Sequence, residues 1–198
     1  MPKPNEAKKP RTQAQRRAET RNLLLDTARD LFLANGYDQT GMPELVKRAG
    51  LTRGALYHHF SDKADLFNAI ARRDAEQVGK HIYDATLDLA SPEEGMMVGT
   101  KAYFAAMANP GTAEILLIMA PAILGLHEAQ KLTYTSGSAE LKDGLSAAMP
   151  NVSPMQLEAL TEVLSAAFDR AALKISQGED ETTYIDALFK IMQELLGE

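Results

Sequence analysis

The chain contains no cysteine. Neither a disulfide framework nor a thiolate metal site is therefore possible, and a Cys–His catalytic pair is excluded. Long apolar runs are missing too: the longest, Ile115 to Leu126, is too short to span a bilayer and contains Pro121. The N-terminus is polar and basic, with no apolar segment of the kind a secretory signal requires. No membrane association is expected, and the lack of thiols fits a reducing, cytoplasmic setting. Catalytic signatures are absent as well. The four histidines, His58, His59, His81 and His127, form no HExxH pair, and there is neither a phosphate-cradling glycine loop nor a GxSxG elbow. His81, Asp84 and Asp88 recur at i, i+3 and i+7, a spacing that suits a metal or simply a solvated polar face. That trio is the alternative, enzymatic reading. The preferred reading has no enzyme activity, cofactor or metal.

Positive charge is scarce overall but concentrated. The 198 residues carry a net charge of −6. Residues 1–80 hold 15 Lys and Arg against 10 Asp and Glu, a net +5, whereas residues 81–198 hold 6 against 17, a net −11. A positive front half is drawn to a polyanion, and an acidic rear half is repelled by it.

The chain is organised around Thr40 to Lys63, TGMPELVKRAGLTRGALYHHFSDK. Thr40 and Pro43 can open a helix running to Ala49, and Gly50 can take the left-handed conformation that ends it. Thr52 caps a second helix, which runs to about Phe60, and Ser61 caps the next. Leu45, Val46, Ala49, Leu51, Leu56 and Phe60 form an apolar set that locks the pair together. The other face of the second helix presents Arg53, Gly54, Tyr57 and His58, with Ala55 adding to its small front end. Small residues let backbone approach a groove floor. Arginine can fork onto a guanine edge or a phosphate, and Tyr and His can donate to phosphates. The pattern is that of a helix-turn-helix at about residues 41–60, with Arg53–Phe60 as recognition helix.

The run GYDQTGMPELVKRAGLTRGALYHHFSDKADLF resembles the N-terminal domain of TetR-family (TetR/AcrR-type) transcriptional regulators over about residues 14–75. The resemblance implies a homodimeric, all-helical repressor that responds to a small-molecule effector and binds a double-stranded DNA operator. Its DNA contacts carry over to Thr52, Arg53, Gly54, Tyr57, His58, His59 and Lys63. Arg53, Gly54 and Tyr57 would meet base edges; Thr52, His58, His59 and Lys63 would meet phosphates. Where many relatives carry a small hydroxyl residue, this chain has Gly41 and Met42, which leaves Thr40 and backbone amides to clamp phosphate there.

Three segments complete the expected organisation. Residues 1–11 read as a disordered basic arm, either a solvated tail or a strand of cations (Lys8, Lys9, Arg11) that reaches DNA. Residues 12–75 form the DNA-binding domain. Its first helix, Thr12 to Asn35, buries Leu24, Ala28, Leu31 and Phe32, and Arg17 on it is either a phosphate contact or part of a solvated face. Residues 76–198 form an effector-binding and dimerisation domain. Helices are expected from Asp62 to about Leu89, Pro92 to about Ala108, Thr112 to Leu132 divided at Pro121, Glu140 to Met149, Pro154 to Gln177 and Glu181 to Leu196, with residues 132–139 as loop. The all-apolar stretch ILLIMAPAILGL predicts a centrally buried helix. Met96, Tyr103, Phe104, Met107, Met119, Ile123 and Phe168 are ordinary core or the lining of an apolar pocket between residues 92–132 and 154–176, with Tyr103, His127 and Tyr134 as polar handles. Leu157, Leu160, Leu164, Phe168 and Ala171, with Ile185, Leu188, Phe189, Met192 and Leu195, build either the subunit's own core or a four-helix bundle with a second chain.

Overall fold

Thr12 opens the first helix. Its hydroxyl accepts from the amide of Gln15, and the Gln15 side chain accepts in return from the amide of Thr12. This reciprocal cap satisfies two of the amides a helix start leaves unpaired. The structure, a computed structural model, describes residues 12–89 and 91–196, so the basic arm of residues 1–11 lies outside the described residues. All regular structure among them is helical, as the apolar periodicity predicts.

The chain divides into two units between Phe67 and Asn68. In the first, α1 (Gln13–Asn35) packs on α2 (Met42–Ala49), and α2 packs on α3 (Arg53–His59). The helix α4 (Lys63–Thr86) has its first five residues in this unit and the remainder in the second. Leu24, Leu25, Ala28, Leu31 and Phe32 of α1 are buried, as are Leu45, Leu56, Phe60, Leu66 and Phe67. Phe32, Tyr37 and Phe67 form an aromatic cluster with centroids 5.3–5.7 Å apart, a separation at which tilted and edge-on rings attract. Gly50 has φ 66°, and its amide reaches the carbonyls of Lys47 and Val46, closing α2 as expected.

Two caps differ from the sequence reading. Gly41, not Thr40, precedes α2, and no side chain caps that helix. For α4, Asp62 Oδ1 accepts from the amide of Asp65 at 2.8 Å, while Ser61 donates to Asp65 instead of capping. Asp62 and Ser61 compete for the same role, and a carboxylate answers the positive helix end better than a hydroxyl does.

The second unit holds the rest of α4 and α5 (Pro92–Met107), α6 (Ala120–Leu124), α7 (Leu126–Thr133), α8 (Ala139–Ala148), α9 (Pro154–Ser176) and α10 (Glu181–Leu196). Ser91 caps α5 through the amide of Glu94, with Pro92 in the first turn. Residues 112–132, expected as helix divided at Pro121, are instead broken at Gly125, which has φ 84°. A wide π-type stretch, Glu114–Met119, leads into α6 just ahead of Pro121, whose missing N–H could not serve a regular ladder. Nor is the stretch buried all round: Ile115 and Leu116 are buried, but Ile118 is 50% exposed. Residues 134–138, expected as loop, form a second wide helical turn, kinked at Gly137 (φ 146°). A Cβ on Gly79 would stand 2.3 Å from the carbonyl oxygen of Thr135, so α4 meets this turn backbone to backbone and only glycine fits.

One face of α9 and of α10 finishes the subunit's own core. Leu164, Phe168, Ala171, Ala172, Leu188 and Met192 are buried. The exposed stripe on α9 is made of other residues, Met155, Ala159, Val163 and Ala166, and on α10 Ala187 and Ile191 are exposed as well. Met155 is 81% and Val163 68% exposed.

Candidate functional site

The front of α3 is short, exposed and basic. Thr52 caps it by accepting from the amide of Ala55 at 3.2 Å. Leu56 and Phe60 anchor its inner side in the core, which turns Arg53, Gly54, Tyr57 and His58 outward. The space above Gly54 is open: the nearest atom to a Cβ there would be Thr52 Oγ1, at 4.0 Å. The Arg53 guanidinium lies 5.4 Å from the centroid of the Tyr57 ring one turn on, a cation–π arrangement that limits the freedom of both side chains. Ala55 and His59 are half-buried beside this face.

A second helix adds charge to the same surface. Burial holds His59 below its ordinary pKa, helped by the nearby charges of His58, Arg17 and Arg21. Arg17 and Arg21 of α1 therefore share the basic surface with α3. The Arg21 guanidinium also sits 5.4 Å from the Phe60 ring centroid. Arg21 was not among the predicted contacts. Its i, i+4 spacing from Arg17 was the signal that could have found it.

Two predicted contacts are placed differently. Thr40 is only 1% exposed, and its hydroxyl donates to the carbonyls of Leu31 and Gly36 at 3.2 and 2.9 Å. It ties the turn after α1 to that helix, so its side chain neither caps α2 nor reaches a phosphate. Lys63 is half-buried, with Nζ donating to the carbonyls of Tyr37 at 3.0 Å and Thr40 at 3.3 Å. The same ammonium lies 4.3 Å from the centroid of the Tyr37 ring. Lys63 holds the turn before α2 and presents its charge beside it.

In the second unit a cavity of about 420 Å³ opens among the end of α4, α5, residues 133–144 and α9. That volume suits a small organic molecule. Met96, Tyr103 and Phe168 line it, as predicted from sequence. Phe104, Met107, Met119, Ile123, His127 and Tyr134 do not. Phe104 and Met107 are buried in the core, and His127 and Tyr134 face solvent. The break falls at Gly125, not at the expected Pro121, and His127 follows it on α7, outside the lining. Residues 133–144 take the wall that residues 112–132 were expected to supply. The polar groups of the lining are Tyr103, whose hydroxyl donates to Asp169 Oδ1 at 2.7 Å, and Ser138 and Ser165, whose hydroxyls are 2.7 Å apart. Tyr83, Thr86, Ser91, Thr100, Thr133, Ser136, Glu140 and Asp143 complete them. Burial pushes the Asp169 carboxyl up to about 6, against the pull of the Tyr103 hydrogen bond.

The His81, Asp84 and Asp88 trio does not converge. The α4 helix ends at Thr86, Asp88 takes a left-handed backbone (φ 62°), and Asp84 pairs with Lys80 at 2.5 Å. Among the described residues no group of three or more His, Asp or Glu is arranged to hold a metal ion. No single helix among them is long and apolar enough to cross a membrane.

Comparison with known proteins agrees with this layout. The profile of "Bacterial regulatory proteins, tetR family" matches residues 24–70, and that of "Tetracyclin repressor-like, C-terminal domain" matches residues 93–198. The second alone covers more than half of the chain. The chain belongs to the TetR family. A TetR-family transcriptional regulator from Pectobacterium atrosepticum is 30% identical, with 94% of this chain and 96% of that one aligned and a TM-score of 0.65. A putative TetR-family regulator from Syntrophomonas wolfei shares the fold (TM-score 0.76, 91% and 96% covered) at 17% identity. Among curated relatives, the HTH-type transcriptional regulator AcrR of Shigella flexneri is 43% identical over 74 residues, which is 37% of this chain and 33% of that protein. The chain spans about a third of the length of the curated relatives it matches.

The match is uneven. Two of the curated relatives match over 61–74 residues at 43–44% identity, whereas the solved relative that aligns over nearly the whole chain is 30% identical. The cavity of this TetR-family chain is lined by Gly137, Ser138, Glu140, Asp143, Ser165 and Asp169, none of which was predicted. The sequence did carry one hint: Asp169 interrupts the apolar run AAFDRAAL in the middle of α9.

Proposed function

We propose that this chain is a transcriptional repressor that binds a palindromic operator as a homodimer in the cytoplasm. A small-molecule effector entering the cavity of the second unit releases it. The observation that carries the DNA reading is the exposed face of α3. Arg53, Gly54, Ala55 and Tyr57 meet base edges there. Thr52, His58, His59, Lys63 and Arg17 meet phosphates, with Arg21 added to them. The face offers donors and cations to a polyanion and pairs no nucleophile with a base, so the reading assigns it no reaction.

One seven-residue recognition helix discriminates few bases. A two-fold pair reads two half-sites roughly 34–36 Å apart, or a turn-based multiple. The stripe Met155, Ala159, Val163 and Ala166 on α9, with Ala187 and Ile191 on α10, supplies the proposed contact between chains. Its small residues allow close helix approach in a four-helix arrangement. Effector and operator weaken each other by the same factor, as linkage requires.

The test is a fluorescence-polarisation titration of the full chain on DNA flanking its own gene, over a range of salt. Tight binding that falls steeply with salt, together with preference over a scrambled duplex, is the expected result. Equal binding to both duplexes would remove the operator from the reading.

A further inference from the structure

The lining of the cavity is one-sided in charge. Asp169, Glu140 and Asp143 stand on it, and among the described residues no lysine, arginine or histidine does. Its acids are also poorly compensated. Asp169 is largely buried, and the Tyr103 hydroxyl that donates to it is a neutral donor. Oε2 of Glu140 is shut off from solvent and has no hydrogen-bond partner among the described residues. A buried carboxylate without a cation is costly, and a cation brought in by a ligand removes that cost.

The remainder of the wall mixes hydroxyl residues (Thr86, Ser91, Thr100, Thr133 and Ser136) with apolar and aromatic side chains. Tyr103 and Phe168 meet edge to face at 5.7 Å, and Met96, Ile82 and Leu141 extend the surface. Aromatic faces attract cations as well as apolar bodies. The hydroxyls of Ser138 and Ser165 share one hydrogen bond. The acids are not arranged to hold a metal ion among the described residues. The negative lining therefore calls for an organic cation.

We infer that the effector has an apolar body and a cationic head, the head paired with Asp169 in a field made negative by Glu140 and Asp143. This rests on the reading of the cavity as the effector site and specifies its ligand class. The direction of the acid shifts agrees. Burial raises both Asp169 and Glu140, Asp143 raises Glu140 further, and no cation lowers either one.

The test compares three probes that share one body and differ at the head: phenylbutyltrimethylammonium, phenylbutanol and phenylbutyrate. Each is titrated calorimetrically into the full chain without DNA. The cation is expected to bind at least about tenfold more tightly than the alcohol, and the carboxylate more weakly than both. Asp169→Asn is expected to abolish the preference of cation over alcohol. Should that variant unfold, Glu140→Gln serves, with an expected loss of about threefold in the same preference. Equal binding of all three probes, tighter binding of the carboxylate, or an unchanged preference in the folded variants would overturn the cationic head. So would binding of none. The operator titration is separate, and its outcome stands or falls independently of the probes.

Discussion

The hydroxyl of Tyr103 on α5 lies 2.7 Å from Oδ1 of Asp169 on α9, joining two helices across the cavity with a single hydrogen bond. Burial drives both groups toward their neutral forms: Tyr103 stays well above its ordinary value and Asp169 rises to about 6. The folded chain thus holds the Asp169 proton more tightly than the unfolded chain, whose carboxyl titrates near 3.8. Stability is favoured below the unfolded value. It is expected to fall as pH rises through the window from 3.8 to about 6, then to remain lower. The full effect is of order 3 kcal/mol. Urea unfolding of wild type and Asp169→Asn across that window checks it. The difference between the two curves should carry this slope, because asparagine keeps an acceptor for Tyr103 but cannot ionise.

Arg53 and Tyr57 act as a unit on the outer face of α3. Arg53→Ala is expected to cost about 1–3 kcal/mol in operator affinity and to relax base preference. Arg53→Lys should recover little of either, since an ammonium keeps the charge but loses the flat fork. Polarisation titrations on the operator and on single-base variants measure both effects.

Lys63 begins α4, the end of a helix where a cation is unfavourable, yet its ammonium is engaged by the carbonyls of Tyr37 and Thr40 and by the Tyr37 ring. Lys63→Met keeps the stem and removes those bonds. A loss of about 1–3 kcal/mol in folding stability is expected by chemical unfolding. The salt slope of operator binding should also fall by about one. A fall in salt slope without a loss of stability would show that the carbonyl contacts contribute nothing.

Val163 lies in the middle of the exposed α9 stripe. In a two-fold contact Val163→Glu would bury a carboxylate from each chain. The dimer dissociation constant is expected to rise at least about tenfold, equivalent to about 1.4 kcal/mol. Sedimentation velocity over a concentration series reads it, and an unchanged profile would place the contact elsewhere.

Much of the DNA-facing unit was legible in the residues alone. Thr52 as cap, Gly50 as left-handed stop, and Arg53, Gly54 and Tyr57 on one face opposite Leu56 and Phe60 all follow from spacings of five residues or fewer. Helix periodicity and capping are local, so a single chain of letters carries them. Thr40 was misjudged, and the second role of Lys63 as a tie to the turn before α2 was missed, because their partners are remote: Leu31 is nine residues from Thr40, and Tyr37 is 26 from Lys63. A free hydroxyl and one already donating to a distant carbonyl look alike in the sequence.

The all-helical architecture, the basic front surface and the family likeness were thus determined by the amino-acid order itself, through short-range propensity and the alternation of apolar and polar positions. Tertiary structure alone decided the cavity and the outer stripe of α9. Breaking at Gly125 redirected α7, and the glycine contact between Gly79 and Thr135 drew the turn after it onto α4. Glu140 and Asp169 both line the cavity, while His127 lies in solvent. Which apolar face of α9 stays outside was settled in the same way, by competition among helices for a shared core, and no periodicity within one helix records the winner.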